Sequence, residues 1–280
     1  MKSKGLGLPD FSRPPVVEVA LSVQFEPLES LRTPQIGLLW QEFKNQFPKV
    51  EEHGPLNSVV ERFGLRGSKQ PNIQLEMMQS PPMPRCWFLN ADGTELIQVQ
   101  KDRFAHNWRK AGEGDLYPRY EHVRDRFCQE LETFRRFLTD NQIGELSANQ
   151  CEVTYVNQII SGEPWERHGQ LGEVLTVLKA QYSDSFLSEP EDAEVAIRYV
   201  ICDDQGERLG RLHVTAKPAF RSSDDQPIFV LTLTARGKPE GDNIQGIQRF
   251  LDRGREWVVR GFVSITEPHM HQVWSRQDDK

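Results

Sequence analysis

From residue 14 to residue 25 apolar and polar positions alternate. Val17, Val19, Leu21, Val23 and Phe25 fall on one side of an extended chain, and Glu18, Ala20, Ser22 and Gln24 on the other, the two-residue period of a strand with one buried face. The period then changes. Thr33 can cap a helix, Pro34 suits its first turn, and Ile36, Leu39, Trp40, Phe43 and Phe47 recur at helical spacing until Pro48 stops the run. Over 49–84 the pattern fades between Pro55, Pro71, Pro81, Pro82 and Pro84, and only 59–65 and 73–77 look extended. So long a stretch is either a misread pair of edge strands or a functional or mobile loop. Strands are predicted next at 86–89, 95–100 and 103–108, the first two joined by the turn residues Asp92-Gly93. A long helix over 118–139 follows, with Val123, Phe127, Leu131, Phe134 and Leu138 as its core stripe.

The remainder repeats this order. A strand at 151–160 opens with Cys151-Glu152-Val153, echoing the apolar-Glu-Val start of the first strand. Pro164 precedes a helix carrying Leu171, Val174, Leu175 and Leu178. Strands at 195–202, 209–216 and 228–235 follow, the first two joined by Asp203-Asp204-Gln205-Gly206, and a last helix runs from Asp242 or Asn243 to about residue 263 with Ile244, Ile247, Leu251, Val258 and Phe262 on one face. The expected fold is therefore α+β with two pseudo-repeated halves, each a strand, a helix, a three-stranded antiparallel meander and a long helix. In domain terms, 1–13 is a flexible tail, 14–145 the first half and 146–280 the second, packed with the first as one unit. Trp274 is expected to anchor the C-terminus onto the body.

Composition narrows the function classes. With 280 residues, 37% hydrophobic and 27% charged, the chain is an ordinary folding sequence. It has no apolar run long enough to span a bilayer and no apolar leader segment in its first ten residues, so a cytoplasmic, non-membrane protein is expected. Cys86, Cys128, Cys151 and Cys202 lie far apart without metal or disulfide spacing, as reduced, mostly buried thiols would. The net charge is −7. Residues 1–150 hold 19 basic against 20 acidic side chains, and 151–280 hold 15 against 21. An acidic chain argues against broad, nonspecific duplex binding, which depends on neutralising phosphates.

Three stretches carry a resemblance: Pro14-Pro15-Val16-Val17-Glu18-Val19, then Leu96-Ile97-Gln98-Val99-Gln100 running into Arg103-Phe104-Ala105-His106-Asn107-Trp108-Arg109-Lys110, and Ile265-Thr266-Glu267-Pro268-His269-Met270-His271. Together they resemble a sporadically distributed prokaryotic protein family of about this length, across almost the whole chain. The resemblance implies no reaction and no catalytic residue. Its patchy occurrence implies a mobile or genome-defence locus.

Candidate chemistry is densest at Gln98, Gln100, Lys101, Arg103, His106, Asn107, Trp108, Arg109 and Lys110. Cations interleaved with aromatics could hold phosphates while Phe104 or Trp108 stacks a base. The plainer reading puts Phe104, His106 and Trp108 on one face of an amphipathic strand, filling the core. Gln98 and Gln100 share a face and could offer converging hydrogen bonds to a ligand. His269 and His271, with Glu267 near them, are a weak metal candidate that would need His213 or His168 as a further ligand. The acidic run Asp184, Glu189, Glu191, Asp192 and Glu194 reads as a solvated loop or a dock for a basic partner. No glycine-rich nucleotide loop, nucleophile elbow or His-Glu-x-x-His occurs, and no cofactor is expected. The reading favoured is a non-enzymatic adaptor that engages a protein partner through a concave sheet or the cleft between its halves. Its rivals are an accessory protein binding RNA or single-stranded DNA through 101–110, and a hydrolase or nuclease without a recognisable motif.

Overall fold

The computed structural model describes residues 7–63, 83–162, 164–178, 184–241 and 243–277. Its elements in chain order are β1 (Asp10–Phe11), β2 (Val16–Phe25), α1 (Thr33–Phe43), β3 (Lys49–His53), β4 (Arg85–Leu89), β5 (Glu95–Gln100), β6 (Arg103–Arg109) and α2 (Tyr120–Asp140). After them come β7 (Ala148–Ile160), a 3-10 turn at His168–Glu173, β8 (Val195–Cys202), β9 (Arg208–Phe220), β10 (Pro227–Gly237), α3 (Ile244–Ile265), α4 (Pro268–Val273) and β11 (Arg276–Gln277). The fold is mixed α+β. Nine strands make one antiparallel sheet in the order β3-β4-β5-β6-β2-β7-β10-β9-β8, with β2 and β7 joined directly from Val19↔Tyr155 to Gln24↔Gln150.

The long helices cover one face of this sheet, α2 against β6 and β2, α3 against β7, β10 and β9. The alternation in β2 explains which face: Val19, Leu21 and Val23 are fully buried, and Phe25 and Phe104 both meet Phe134 of α2, the latter stacked at 5.0 Å. Further along the same face Gly254 lets α3 sit close to the sheet, since a Cβ there would lie 3.0 Å from Val153 Cγ2 and 3.3 Å from Ala235 Cβ. Asn243 caps α3 by accepting a hydrogen bond from the Gly246 amide at 2.9 Å.

Four expectations need correction. Helix α1 ends at Phe43, short of Pro48, and its N-cap is Arg32, not Thr33; Phe47 reaches the core from the turn beyond, where its carbonyl accepts from Trp40 Nε1 at 2.9 Å. Lys49–His53 is a strand at the sheet's outer edge, paired with β4; of the two pieces expected to be extended, 59–63 forms no strand, and 64–65 and 73–77 lie outside the described residues. The helix expected after Pro164 is only the short 3-10 turn, although Leu171, Val174 and Leu175 are buried as its pattern required. Gly169 and Gly172 explain this: backbone carbonyls of Pro190 and Leu178 pack where a Cβ would stand, and glycine disfavours helix. Finally, the predicted tail contains β1, which pairs with β11. Phe11 holds it there, edge-on to Phe262, His271 and Trp274, and Trp274 is buried against Phe262.

The four cysteines are free, Cys86 and Cys151 buried and Cys128 and Cys202 half-buried. Burial pushes the Cys151 thiol far up, with Glu152 adding to the effect. Among the described residues no helix is long and apolar enough to cross a membrane.

Candidate functional site

The face of the sheet opposite the helices is polar. Register lines up Gln100, Arg103, Gln24 and Gln150 across β5, β6, β2 and β7, and next to them Ser22, Glu152, Arg236 and Arg211 across β2, β7, β10 and β9. A two-residue period puts these side chains on one face as surely as it puts Val23 and Phe104 on the other. The ladder fixes the spacing of the backbone positions that bear these side chains, so amides and charges stand at set intervals across the face.

Residues 54–63 cross this face as a strap, running transverse to the strands. The Leu56 amide donates to Gln100 Oε1 at 3.0 Å while Gln100 Nε2 donates back to the Leu56 carbonyl at 2.9 Å. Arg103 then reaches the Asn57 carbonyl at 3.4 Å, Gln24 Oε1 accepts from the Val59 amide at 2.9 Å, and Gln150 Oε1 from the Glu61 amide at 3.3 Å. Glu61 ends the series over β10 and β9. Its carboxylate takes His213 Nε2 at 2.6 Å, a contact from Arg211, and Arg236 at 3.7 Å. The strap thus meets β5, β6, β2, β7, β10 and β9 in their order across the sheet.

Electrostatics concentrate at that end. Glu61 is only 8% exposed, and burial pushes its carboxyl upward; the hydrogen bonds and charges of His213 and Arg211 outweigh this and hold it below the ordinary carboxylate value. Glu152 takes Arg236 Nε at 2.9 Å and Arg103 at 3.5 Å. Phe63 lies over the Arg211 guanidinium at 4.5 Å, within cation–π reach, and the Arg62 carbonyl accepts from Arg211 at 2.8 Å.

The nine sequence candidates are divided by the pleat of β5 and β6. Gln98, Gln100, Arg103 and Asn107 lie on the polar face, where Gln98 donates to Asn107 at 2.8 Å and accepts from Arg85 at 2.9 Å. Arg109 donates to the Gly93 carbonyl at 2.8 Å and sits above Trp87. His106 and Trp108 are buried on the helix side with Phe104. The His106 ring is wholly inaccessible, 2.7 Å from the Glu130 carboxylate of α2, and Trp108 packs on Tyr117. Lys101 and Lys110 are exposed at the strand ends.

His269 and His271 are on α4, two residues apart on a helix and so on different sides. His269 Nε2 meets the Glu173 carbonyl and His271 Nε2 the Thr266 hydroxyl. Among the described residues, no three His, Cys, Asp or Glu side chains gather as metal ligands would. The sequence reading passed over Gln150, Glu152, Arg211 and Arg236, although each sits at a polar position of a predicted strand or at its end. Glu61 falls in 59–65, a stretch that looks extended, but two adjacent valines precede it and no alternation singles it out.

The arrangement can hold an extended chain. Glutamine amides satisfy its backbone irrespective of sequence, and one cationic cradle selects a carboxylate. Compared with family models, with curated proteins and with solved structures, the chain matches none of them.

Proposed function

We propose that the protein is a non-enzymatic adaptor, an accessory subunit whose polar sheet face engages an extended segment of a protein partner. The observation that carries this is the strap itself: three glutamine side chains on three strands accept from its backbone amides, contacts that do not depend on which side chains the segment carries. The same reading treats the chain as two pseudo-repeated halves. In support, the strand order β4-β5-β6-β2 on one side runs inward as β8-β9-β10-β7 does on the other, leaving the polar face continuous across the β2–β7 junction. Nucleic-acid binding through 101–110 has less support. Phe104 and Trp108 are buried against helices and cannot stack bases, and Arg103 is matched by Glu152.

The test is an inventory by mass spectrometry of what co-purifies from the native host at about physiological salt, for the wild type and for Arg211→Glu. The expected result is one protein at comparable stoichiometry, lost with the variant. Nucleic acid without protein, or nothing at all, would overturn the adaptor reading.

A further inference from the structure

We infer that Arg211, His213 and Arg236 form a receptor site for an acidic side chain in an extended partner segment, the position that Glu61 of the chain's own strap now fills. This deepens the adaptor reading and rests on it.

Three observations converge. First, the main-chain contacts made by Gln100, Gln24 and Gln150 fit nearly any extended chain, whereas Glu61 is the strap side chain most completely enclosed; selection therefore lies in the cradle. Second, the charges are unequal once Glu61 is set aside. Among the described residues, Arg103, Arg211 and Arg236 then have ion pairs only with Glu152, with the His213 imidazole beside them, an excess of cationic and hydrogen-bond-donating groups that a carboxylate complements. Third, the strap is lightly held by apolar contact. Leu56 is 40% exposed, Val59 38% and Val60 43%, and the β7–β10–β9 ladder closes beneath without it. Segments of this kind open without unfolding the core.

Phe63 adds detail to the ligand. It follows Glu61 by two residues and lies on the Arg211 guanidinium, so the segment the face fits best has an acidic residue followed at the second position by an aromatic one. In the resting protein the strap competes for the site.

The experiment uses the full chain and a fluorescent decapeptide of residues 54–63, Gly-Pro-Leu-Asn-Ser-Val-Val-Glu-Arg-Phe, with its Glu61→Gln counterpart, followed by anisotropy. Protein carrying Glu61→Gln is expected to bind the acidic peptide at least about tenfold tighter than the amide peptide, as hydrogen bonds to charged partners allow, and tighter than the wild type binds it. Adding Arg211→Ala should remove that preference. Equal binding of the two peptides, or saturable binding of neither, would overturn the inference. Hydrogen exchange on the wild type guards against a misfolded variant: saturating acidic peptide should expose the Leu56, Val59 and Glu61 amides, and unchanged protection counts against the site. A wild-type dimer in light scattering that Glu61→Gln dissolves would assign the face to a second copy's strap and overturn the partner. Peptide selectivity without a co-purifying protein would leave the site standing and refute the adaptor reading, so the two fail separately.

Discussion

Replacing Gln100 by alanine should loosen one end of the strap and leave the sheet intact. Gln100 clamps Leu56 with two hydrogen bonds, 3.0 Å from its amide and 2.9 Å to its carbonyl. At about 0.5–1.5 kcal/mol net for each, the clamp contributes roughly 1–3 kcal/mol to local closure. The upper part of that range is out of reach, because Leu56 is 40% exposed and water can take over both backbone groups. The third bond of Gln100, to Asp102 Oδ1, stiffens the side chain and does not touch the strap. A loss of about 1–2 kcal/mol corresponds to roughly 5- to 30-fold faster opening-limited exchange. Native-state hydrogen exchange of the Leu56 amide reads this directly, with β5 and β6 amides as the internal control. Faster exchange at Leu56 alone is the expected outcome. If the Leu56 rate stayed within twofold of wild type, or if β5 and β6 exchanged faster in parallel, the strap would not be a separately opening ligand of the sheet face.

Three further outcomes follow from the packing. His106→Ala should cost about 3–5 kcal/mol, because it leaves the buried Glu130 carboxylate with Arg126 as its one remaining ion-pair partner among the described residues; a shift below about 1 kcal/mol in urea unfolding would refute the structural role given to this ring. The His271 imidazole is held below its ordinary value of 6.5, chiefly by burial and then by Arg276 and His269. The unfolded chain therefore takes up the proton first as pH falls, so the stability His271 contributes is present above 6.5 and is lost as pH drops through the folded value. Melts at pH 7.5 and 5.5 should show this loss, and His271→Asn should flatten it; an unchanged slope would refute the assignment. Gly254→Val should cost about 1–3 kcal/mol by overpacking α3 on Val153 and Ala235, and a thermal midpoint equal to wild type would mean that the helix shifts freely.

What the chain discloses on its own depends on how locally each feature is determined. Strand β2, the β4–β5–β6 meander and α2 are legible because burial on one face writes a period of two or 3.6 into consecutive residues, and Asp92-Gly93 marks its hairpin through a turn that puts Gly93 at φ +74°. β3 is not legible: Lys49-Val50-Glu51-Glu52-His53 is an exposed strand that, among the described residues, pairs with β4 alone. The 3-10 turn at His168–Glu173 keeps the apolar spacing of a helix, and the close approach of Pro190 that requires Gly169 comes from a distant part of the chain. The site divides in the same way. Gln98 and Gln100 stand out by alternation, but Glu61 acquires its meaning from Gln150, Arg211 and His213, which are 89, 150 and 152 residues away.

That distance has a mechanical consequence. The strap leaves β3 at one edge of the sheet and ends over β9, next to the opposite edge strand, so Glu61 joins the first part of the chain to cations borne by the second, which carries most of the negative charge. The β2–β7 ladder joins the same two parts by backbone hydrogen bonds across the sheet's centre. The two links differ in kind. The ladder is flanked by core side chains that cannot part without exposing Val19, Leu21 and Val153, whereas the strap rests on side-chain amides and the one enclosed carboxylate of Glu61. A segment that takes the place of the strap therefore removes the weak link and leaves the strong one. On the proposed reading, a partner on the polar face would change the course of residues 54–63 while the sheet and its helices hold still, and its arrival would be registered by the chain it displaces.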